Sequence, residues 1–382
     1  MDRFLNVYGI VMMVIGVYVL LNSIFNIWFF KKMMKPKQDR TNRKPLVSII
    51  IPARDEEKNL PRLLTSLTKQ TYKNLEVLVI NDQSSDRTQE IIECFEKRDP
   101  RIHGFKTDPN VKLMKHGKMN ALLQLIPHAK GEYLLATDAD TEHAPSSVEL
   151  AIGIMLDHDL DIFSGYPIEY CPTNFTGITV ASMVLAIAMI PHHFFYKHQW
   201  NKAAIAIGQF IMMRRDAYDD VGGYAAIENE IVDDMGLVKL FDKNKKKYCF
   251  VPLATVVGCY MYSKGADAFK GIERSIIGVC PVKYSIVPAL IVLVAFLLLL
   301  AWAPLFALIF YLCGFASTSL ILMVVGWLCF SIGWYKCCRI TRFSKKISSS
   351  CALSITLICA MYIHGVYRRL SGKNFVWKGR LV

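Results

Sequence analysis

Two aspartates one residue apart, Asp138 and Asp140, close the apolar run Tyr133-Leu134-Leu135-Ala136-Thr137. Such a run reads as a buried strand, and a carboxylate pair at its C-terminal tip falls where open α/β sheets build ligand sites. Two hard oxygen donors there suit a divalent cation bridging a diphosphate. The same residue types also cap helices, so the pair acquires meaning only from its surroundings. A second pair, Asp233-Asp234, stands nearly a hundred residues downstream. Adjacency of two carboxylates raises the proton affinity of one of them, which is the property a general base needs, while an Asp pair at a helix N-terminus is an equally ordinary origin for it.

The elements that would carry these groups are legible between Pro45 and about Pro281. Val47-Ser48-Ile49-Ile50-Ile51-Pro52 reads as a first strand stopped by Pro52, and Leu60, Leu63, Leu64 and Leu67 follow at helical spacing. Leu75 to Ile80 reads as a second strand, and Met119, Leu122, Leu123 and Ile126 mark a helix leading into the strand that ends at Asp138. This alternation predicts a parallel sheet covered on both faces. Its strand ends, Ala53-Arg54-Asp55, Asn81-Asp82 and Asp138-Ala139-Asp140, then share one edge. No Gly-x-Gly-x-x-Gly and no Gly-x-x-x-x-Gly-Lys-Ser/Thr occurs, which disfavours a dinucleotide-binding oxidoreductase and a P-loop hydrolase. Acidic strand ends point instead to phosphate held through a metal.

The ends of the chain are of another kind. Hydrophobic residues make up 53% of the 382, and the excess is terminal. Phe4 to Phe30 carries no charge and exceeds the ~20 residues that cross a bilayer, with no small-x-small cleavage site after it, so residues 1–31 read as an uncleaved anchor. Residues 284–382 read as a membrane region of two or three spans with a short basic tail. Tyr284 to Tyr335 is uncharged, breaks near Cys313-Gly314-Phe315-Ala316-Ser317 and fits two helices joined by a tight turn, and Ile347 to Tyr367 is a further candidate. Lys31, Lys32, Lys35, Lys37, Arg40, Arg43 and Lys44 follow the first span, and Lys336, Arg339, Arg342, Lys345 and Lys346 separate the later ones. The positive-inside rule then makes 45–281 cytoplasmic and the protein a multi-pass resident of the cytoplasmic membrane. Four full spans would leave Arg368, Arg369, Lys373, Lys378 and Arg380 outside; either the last segment lies in the interface or re-enters, or the rule is broken there.

The net charge of +13 is concentrated beside the apolar spans, where anionic headgroups are the simpler partner, and no nucleic-acid motif occurs. The 11 cysteines include no Cys-x-x-Cys and several lie in spans, which fits a reduced cytoplasmic face. The spans lack the ionisable residues of a transport path.

Pro52-Ala53-Arg54-Asp55-Glu56-Glu57, Val79-Ile80-Asn81-Asp82-Gln83-Ser84-Ser85-Asp86-Arg87-Thr88, His116-Gly117-Lys118-Met119-Asn120-Ala121-Leu122 and Asp138-Ala139-Asp140 together resemble the ordered motifs of family-2 inverting glycosyltransferases. Gly208-Gln209-Phe210-Ile211-Met212-Met213-Arg214-Arg215, Val221-Gly222-Gly223-Tyr224 and Asp233-Asp234-Met235-Gly236-Leu237 extend the resemblance. It implies an α/β GT-A fold, Rossmann-like and of the nucleotide-diphospho-sugar transferase type, with transmembrane helices at both ends. By the same resemblance Asp55 and Asp82 contact base and ribose, Glu57 and Asp86 shape that pocket, and Lys118 lies near the diphosphate or donor sugar. Asp138 and Asp140 form the donor and metal site for Mn2+ or Mg2+, with Asp140 the direct ligand. Asp234, beside Asp233, is the catalytic base, and Gly208, Gln209 and Arg274 are acceptor- or membrane-proximal. For Asp55, Asp86 and Lys118, helix capping or a solvated charge is the alternative reading.

Processive polysaccharide synthases of this superfamily carry Gln-x-x-Arg-Trp after the base. The corresponding stretch, Lys264 to Ser275, has Arg274 but no Trp. Met261-Tyr262-Ser263, Lys270-Gly271-Ile272-Glu273-Arg274 and Val376-Trp377-Lys378-Gly379-Arg380 are instead similar to bacterial lipid glycosyltransferases, including the carotenoid-acid glucosyltransferases. The uncharged stretch near 175–196 separates Asp140 from Asp234; as a span it would divide one site across a membrane, so it is expected to rest in the interface or line an acceptor groove. The expectation is transfer of a single sugar from a nucleotide donor, UDP-glucose or similar, to a membrane lipid, and the intact Asp pair favours a hydroxyl over an already ionised carboxylate. A processive synthase and a catalytically idle scaffold of the same fold are the alternatives.

Overall fold

The computed structural model describes residues 2–35, 43–114, 117–198, 205–228, 230, 232–279, 287–315, 318–371, 376–377 and 380–381. Helix α1 (Asp2–Met33) comes first. The chain then alternates through β1 (Val47–Ala53), α2 (Leu60–Thr68), β2 (Leu75–Asn81), α3 (Thr88–Arg98), β3 (Ile102–Lys106), α4 (Gly117–Leu125) and β4 (Tyr133–Ala136). Next are β5 (Thr141–His143), α5 (Ser147–His158), β6 (Ile162–Tyr166), β7 (Ile168–Glu169) and three short helices, α6 (Asn174–Ala181), α7 (Val184–Met189) and α8 (His192–His198). After β8 (Ile211–Arg214), α9 (Arg215–Asp220), α10 (Asp233–Lys243), β9 (Tyr248–Pro252) and β10 (Val257–Cys259), the remainder is helical. It comprises α11 (Gly265–Val279), α12 (Val287–Ala301), α13 (Ala303–Leu312), α14 (Thr318–Ile340), α15 (Lys345–Ser348) and α16 (Cys351–Leu370).

The chain divides into two compact units. One holds residues 1–29, 171–193 and 262–382; the other holds 30–170 and 194–261. In the strand-rich unit a seven-stranded sheet runs β3-β2-β1-β4-β8-β6-β9. Its central strands β1, β2 and β4 are almost wholly buried, as runs of Val, Ile and Leu covered on both faces must be. Strand β1 pairs in parallel with β2 and β4, and β2 with β3. The sheet is not wholly parallel, however. Strand β8 is antiparallel to both β4 and β6, with Ile211 opposite Ala136. A crossover helix is what returns a chain to the starting edge of a parallel sheet. The segment before β8 makes no such return; the chain leaves this unit after Tyr170, comes back at Phe194, and enters β8 at the edge where β4 ends. A second sheet, β5-β10-β7, sits just beyond that edge in sequence, with Cys259 opposite both Thr141 and Glu169.

In the helical unit three helices, Arg3–Met33, Thr318–Ile340 and Cys351–Leu370, are long and apolar enough to cross a membrane. Helices α1 and α14 run parallel at backbone contact: a Cβ on Gly9 would strike the Ser319 backbone, and one on Gly16 would run into the Gly326 carbonyl. Small residues permit that approach, and close packing is the main attraction available between apolar helices in lipid. The stretch from 284 differs from the expected pair of helices. Its first half is itself broken at Trp302, where Pro288–Ala301 and Ala303–Leu312 meet at 74°. Pro304 opens α13, and the ring cannot donate to the preceding turn. Residues 284–286 of that stretch, and Ala316 and Ser317 of its expected turn, lie outside the described residues.

The stretch near 175–196 is likewise three short helices rather than one, with a 49° bend between Asn174–Met189 and His192–His198. Pro191 accounts for the break. The carbonyls freed there are taken up by α1. Asn22 Nδ2 donates to Ala188 O at 2.7 Å, Asn26 Nδ2 to Ile190 O at 2.7 Å and Ile187 O at 3.0 Å, and Tyr18 Oη to Met189 O at 2.7 Å. Helix α16 packs on α6 through Ser354 Oγ, 2.9 Å from Ile178 O, and on α11 through His364, 2.8 Å from the fully buried Glu273.

Replacing both Asn22 and Asn26 by Leu strands several buried carbonyls at ~1–3 kcal/mol each. Thermal unfolding in detergent should show a clear loss of stability for Asn22→Leu/Asn26→Leu, against almost none for Ile10→Val on the exposed side of α1. Equal melting temperatures for the two would refute a supporting role for these asparagines.

Candidate active site

The strand-end loops predicted from sequence do meet at one edge of the large sheet. The Asp138–Asp140 turn is fixed from below by hydroxyls: Thr141 Oγ1 donates to Asp138 O at 2.8 Å, and Thr137 Oγ1 donates to Gln209 O at 2.8 Å. Beside them His143 is buried, and burial lowers its pKa to about 4, so it serves the turn as a neutral ring. The Tyr260 amide holds Asp140 O at 2.9 Å. The pair is therefore a rigid feature of the sheet edge rather than a helix cap.

Lys118, in the first turn of α4, joins the two acidic pairs. Its Nζ lies 2.8 Å from Asp138 Oδ1 and 3.0 Å from Asp233 Oδ2. Burial opposes the ammonium charge, but Asp138 and Asp233 together hold its pKa well above the ordinary lysine value. Asp233 and Asp234 open α10, where the helix dipole favours negative charge. The Asp234 carboxylate accepts from Gly208 N at 2.7 Å and from its neighbour Met235 N at 2.6 Å. Burial, and then the charge of Asp233, still raise its pKa to about 7. Gly208 keeps this centre open: a Cβ there would sit 3.3 Å from Lys118 Nζ and 3.4 Å from Asp234 Oδ2.

Towards β1 and β2 the site is braced loop to loop. Asp82 is buried, with Arg54 Nη1 at 3.7 Å from Oδ2. Asp55, at a φ of 52°, accepts from Ser85 N at 2.8 Å, and Asp86 takes Glu57 N at 2.9 Å on one oxygen and Thr88 N at 3.0 Å on the other. Burial would raise the Asp86 pKa, but these hydrogen bonds outweigh it and the net shift is downward. Glu57 returns the contact, accepting from Arg87 N at 3.3 Å. Asp55, Glu57 and Asp86 thus hold two loops in register, and Asp86 also accepts from the amide of Thr88, the first residue of α3. Arg274 lies on α11, in the helical unit.

One acidic residue was invisible in the motifs. Glu169 lies opposite Cys259 in the small sheet, and Cys259 Sγ is 3.8 Å from Asp140 Oδ1. Burial and the Asp140 charge raise the Glu169 pKa to about 8, despite hydrogen bonds from Cys259 and Gln209. Gln209 is itself buried, and its Oε1 has no hydrogen-bond partner among the described residues. No spacing in the sequence signals Glu169; only the pairing of β7 with β10 brings it here.

Among the described residues no group of three or more His, Cys, Asp or Glu is arranged as a complete metal cage. The oxygen donors of Asp138 and Asp140 fit Mg2+ or Mn2+, which commonly take one or two carboxylates and complete their shell with water and phosphate oxygens.

The raised Asp234 pKa has a consequence for folding. Between about 4 and about 7 the folded state keeps a proton that the unfolded chain has released, so its contribution to stability is full below about 4 and is lost as pH rises to about 7. Asp234→Asn, which cannot ionise, should therefore gain stability relative to the wild type as pH is raised across that window. Parallel unfolding curves at pH 4.5 and pH 7.5 with an unchanged difference would contradict it.

Residues 48–222 match the glycosyl transferase family 2 domain. The chain is 26% identical over 182 residues to glycosyltransferase GlyG of Streptococcus pneumoniae serotype 4, covering 46% of this chain and 59% of that protein. It is 25% identical over 246 residues to a 4,4'-diaponeurosporenoate glycosyltransferase of Staphylococcus haemolyticus, covering 63% of this chain and 60% of that one. The match thus spans about three fifths of the length of each relative. A mannosyltransferase from Pyrobaculum calidifontis, solved with GDP-Man and Mn2+, shares the fold over 97% of this chain and 99% of its own at a TM-score of 0.53 and 15% identity. A GT-A-like sheet, the acidic groups gathered at its edge and the family match agree, and residues 48–222 of the chain carry a glycosyl transferase family 2 domain.

Proposed function

We propose that the protein transfers one sugar, with inversion, from a nucleotide-diphosphate donor to a hydroxyl of a membrane lipid, assisted by Mn2+ or Mg2+. The observation that carries this reading is the meeting of Asp138 with Asp233 and Asp234 on the two sides of one lysine. Direct displacement at an anomeric carbon needs a neutralised leaving group on one face and a proton acceptor on the other. A cation held by Asp138 and Asp140 would supply the charge that stabilises the departing diphosphate. Asp82, with Arg54, and the loops braced by Asp55, Glu57 and Asp86 form the nucleotide end. Gly208 leaves room where the sugar and its acceptor must approach, and its amide orients Asp234.

Asp234 then removes the acceptor proton. Its pKa near 7 makes it a base matched to neutral pH, a property wasted on an acceptor that is already an anion. The Staphylococcus relative is named for a carotenoid acid, which supports an apolar acceptor molecule while leaving its nucleophilic group to this argument. The apolar α1 and α14, with Lys31, Lys32 and Arg339 in their last turns, support a multi-pass protein whose catalytic unit faces the cytoplasm. The packing of α16 on α6 and α11 near both of its ends supports its lying along them, which would keep Arg368 and Arg369 on that same side.

Membranes or detergent-solubilised protein given radiolabelled UDP-glucose, other sugar nucleotides in turn, Mn2+ or Mg2+, and total membrane lipid should yield one discrete labelled lipid. Asp140→Ala and Asp234→Asn should each lower the rate by ~10²-fold or more. The wild-type kcat/KM should rise with pH through about 7 as the base ionises. A ladder of products would mean a processive synthase, and label retained in both variants would reject these catalytic assignments.

A further inference from the structure

Lys118 and the expected metal contend for the same carboxylate. The ammonium is about three-quarters buried, and it lies within hydrogen-bonding distance of Asp138 Oδ1 and Asp233 Oδ2 at once. A divalent cation brought to Asp138 with Lys118 in place would meet a like charge a few ångströms away in a partly desolvated site, where such repulsion is several times stronger than in water. Lysine also has the means to move: its charge is a point at the end of a flexible four-carbon stem. The backbone on one side of it is Gly208, where the Cβ of any other residue would sit 3.3 Å from Nζ.

We propose that Lys118 is an internal counter-ion which stands in for the metal at Asp138 until the donor arrives. On the reading of Asp138 and Asp140 as metal carboxylates, metal alone binds poorly because Lys118 already neutralises one of its ligands. A nucleoside diphosphate brings negative charge that attracts both cations. It draws Lys118 from Asp138 to a phosphate oxygen and opens Asp138 to the metal, so metal and donor enter together. The same movement takes the ammonium off Asp233 and so uncovers the base pair only when a donor is seated. Lys118 is then a positioning residue for the metal before it becomes a contact for the diphosphate.

The test is Mn2+ binding to the purified full-length protein, followed by the EPR signal of the free aqua ion and corrected for Mn2+ bound by free nucleotide. Without nucleotide, Lys118→Met should bind Mn2+ about tenfold more tightly than the wild type, the scale of one charge contact in a partly buried site. Lys118→Arg, which keeps the charge, should stay near the wild type. Saturating UDP or GDP should erase or reverse the advantage of Lys118→Met, because the lysine is then needed on the phosphate. Should Lys118→Met not fold, Asp233→Asn leaves Lys118 to Asp138 alone, and tighter Mn2+ binding in that variant would overturn the proposal. Equal or weaker Mn2+ binding by Lys118→Met without nucleotide would also overturn it; if nucleotide-dependent Mn2+ binding is then still abolished by Asp140→Asn, the assignment of the metal carboxylates stands. Failure of every variant to bind Mn2+ with either nucleotide would overturn both.

Discussion

Like charges crowded at one sheet edge are the constraint that organises the strand-rich unit. Asp138, Asp140, Glu169, Asp233 and Asp234 gather there, and their mutual repulsion rises as water is excluded. The protein answers each in a different way. Lys118 spans Asp138 and Asp233, the amides of Gly208 and Met235 hold Asp234, and burial with the Asp140 charge raises the Glu169 pKa to about 8. A site assembled in this way is charged to receive cations and has one cation built in.

The geometry of this edge depends on one strand running against the rest. Because β8 enters beside the end of β4, the residues just before it, Gly208 and Gln209, lie next to the Asp138 turn. A parallel β8 would have carried them to the far edge of the sheet. The chain can enter there because residues 171–193 leave the unit and the chain comes back into β8 beside the end of β4. An excursion that looks like an insertion in the sequence thus sets the direction of a core strand, and with it the contact between Gly208 and Asp234.

In the helical unit the ordering forces are different. Apolar helices gain little from burial against one another in lipid, so contact is made by glycines at backbone distance and by a few polar side chains with full partners. Asn22 and Asn26 satisfy carbonyls that Pro191 and the break at α7 leave open, which is why these two amides sit buried in a largely apolar helix. Helix α1 is therefore part of the scaffold for the broken helices.

Much of this was determined by the sequence alone. Runs of Val, Ile and Leu ending in Asp specified β1, β2 and β4 and the shared edge of their loops, because hydrophobic period and strand length are local properties. The uncharged lengths of α1 and α14 were equally plain. The sequence also supplied Asp138, Asp140, Asp233 and Asp234 as candidates, though not the lysine bridge between them. Only the tertiary structure decided that β8 runs antiparallel, that Glu169 reaches Asp140 through the pairing of β7 with β10, that two long apolar stretches are broken, and that one ammonium is shared by Asp138 and Asp233. Each of these depends on contacts between residues far apart in the chain, whose burial and spacing set their charge, and no local pattern of residues encodes such distances.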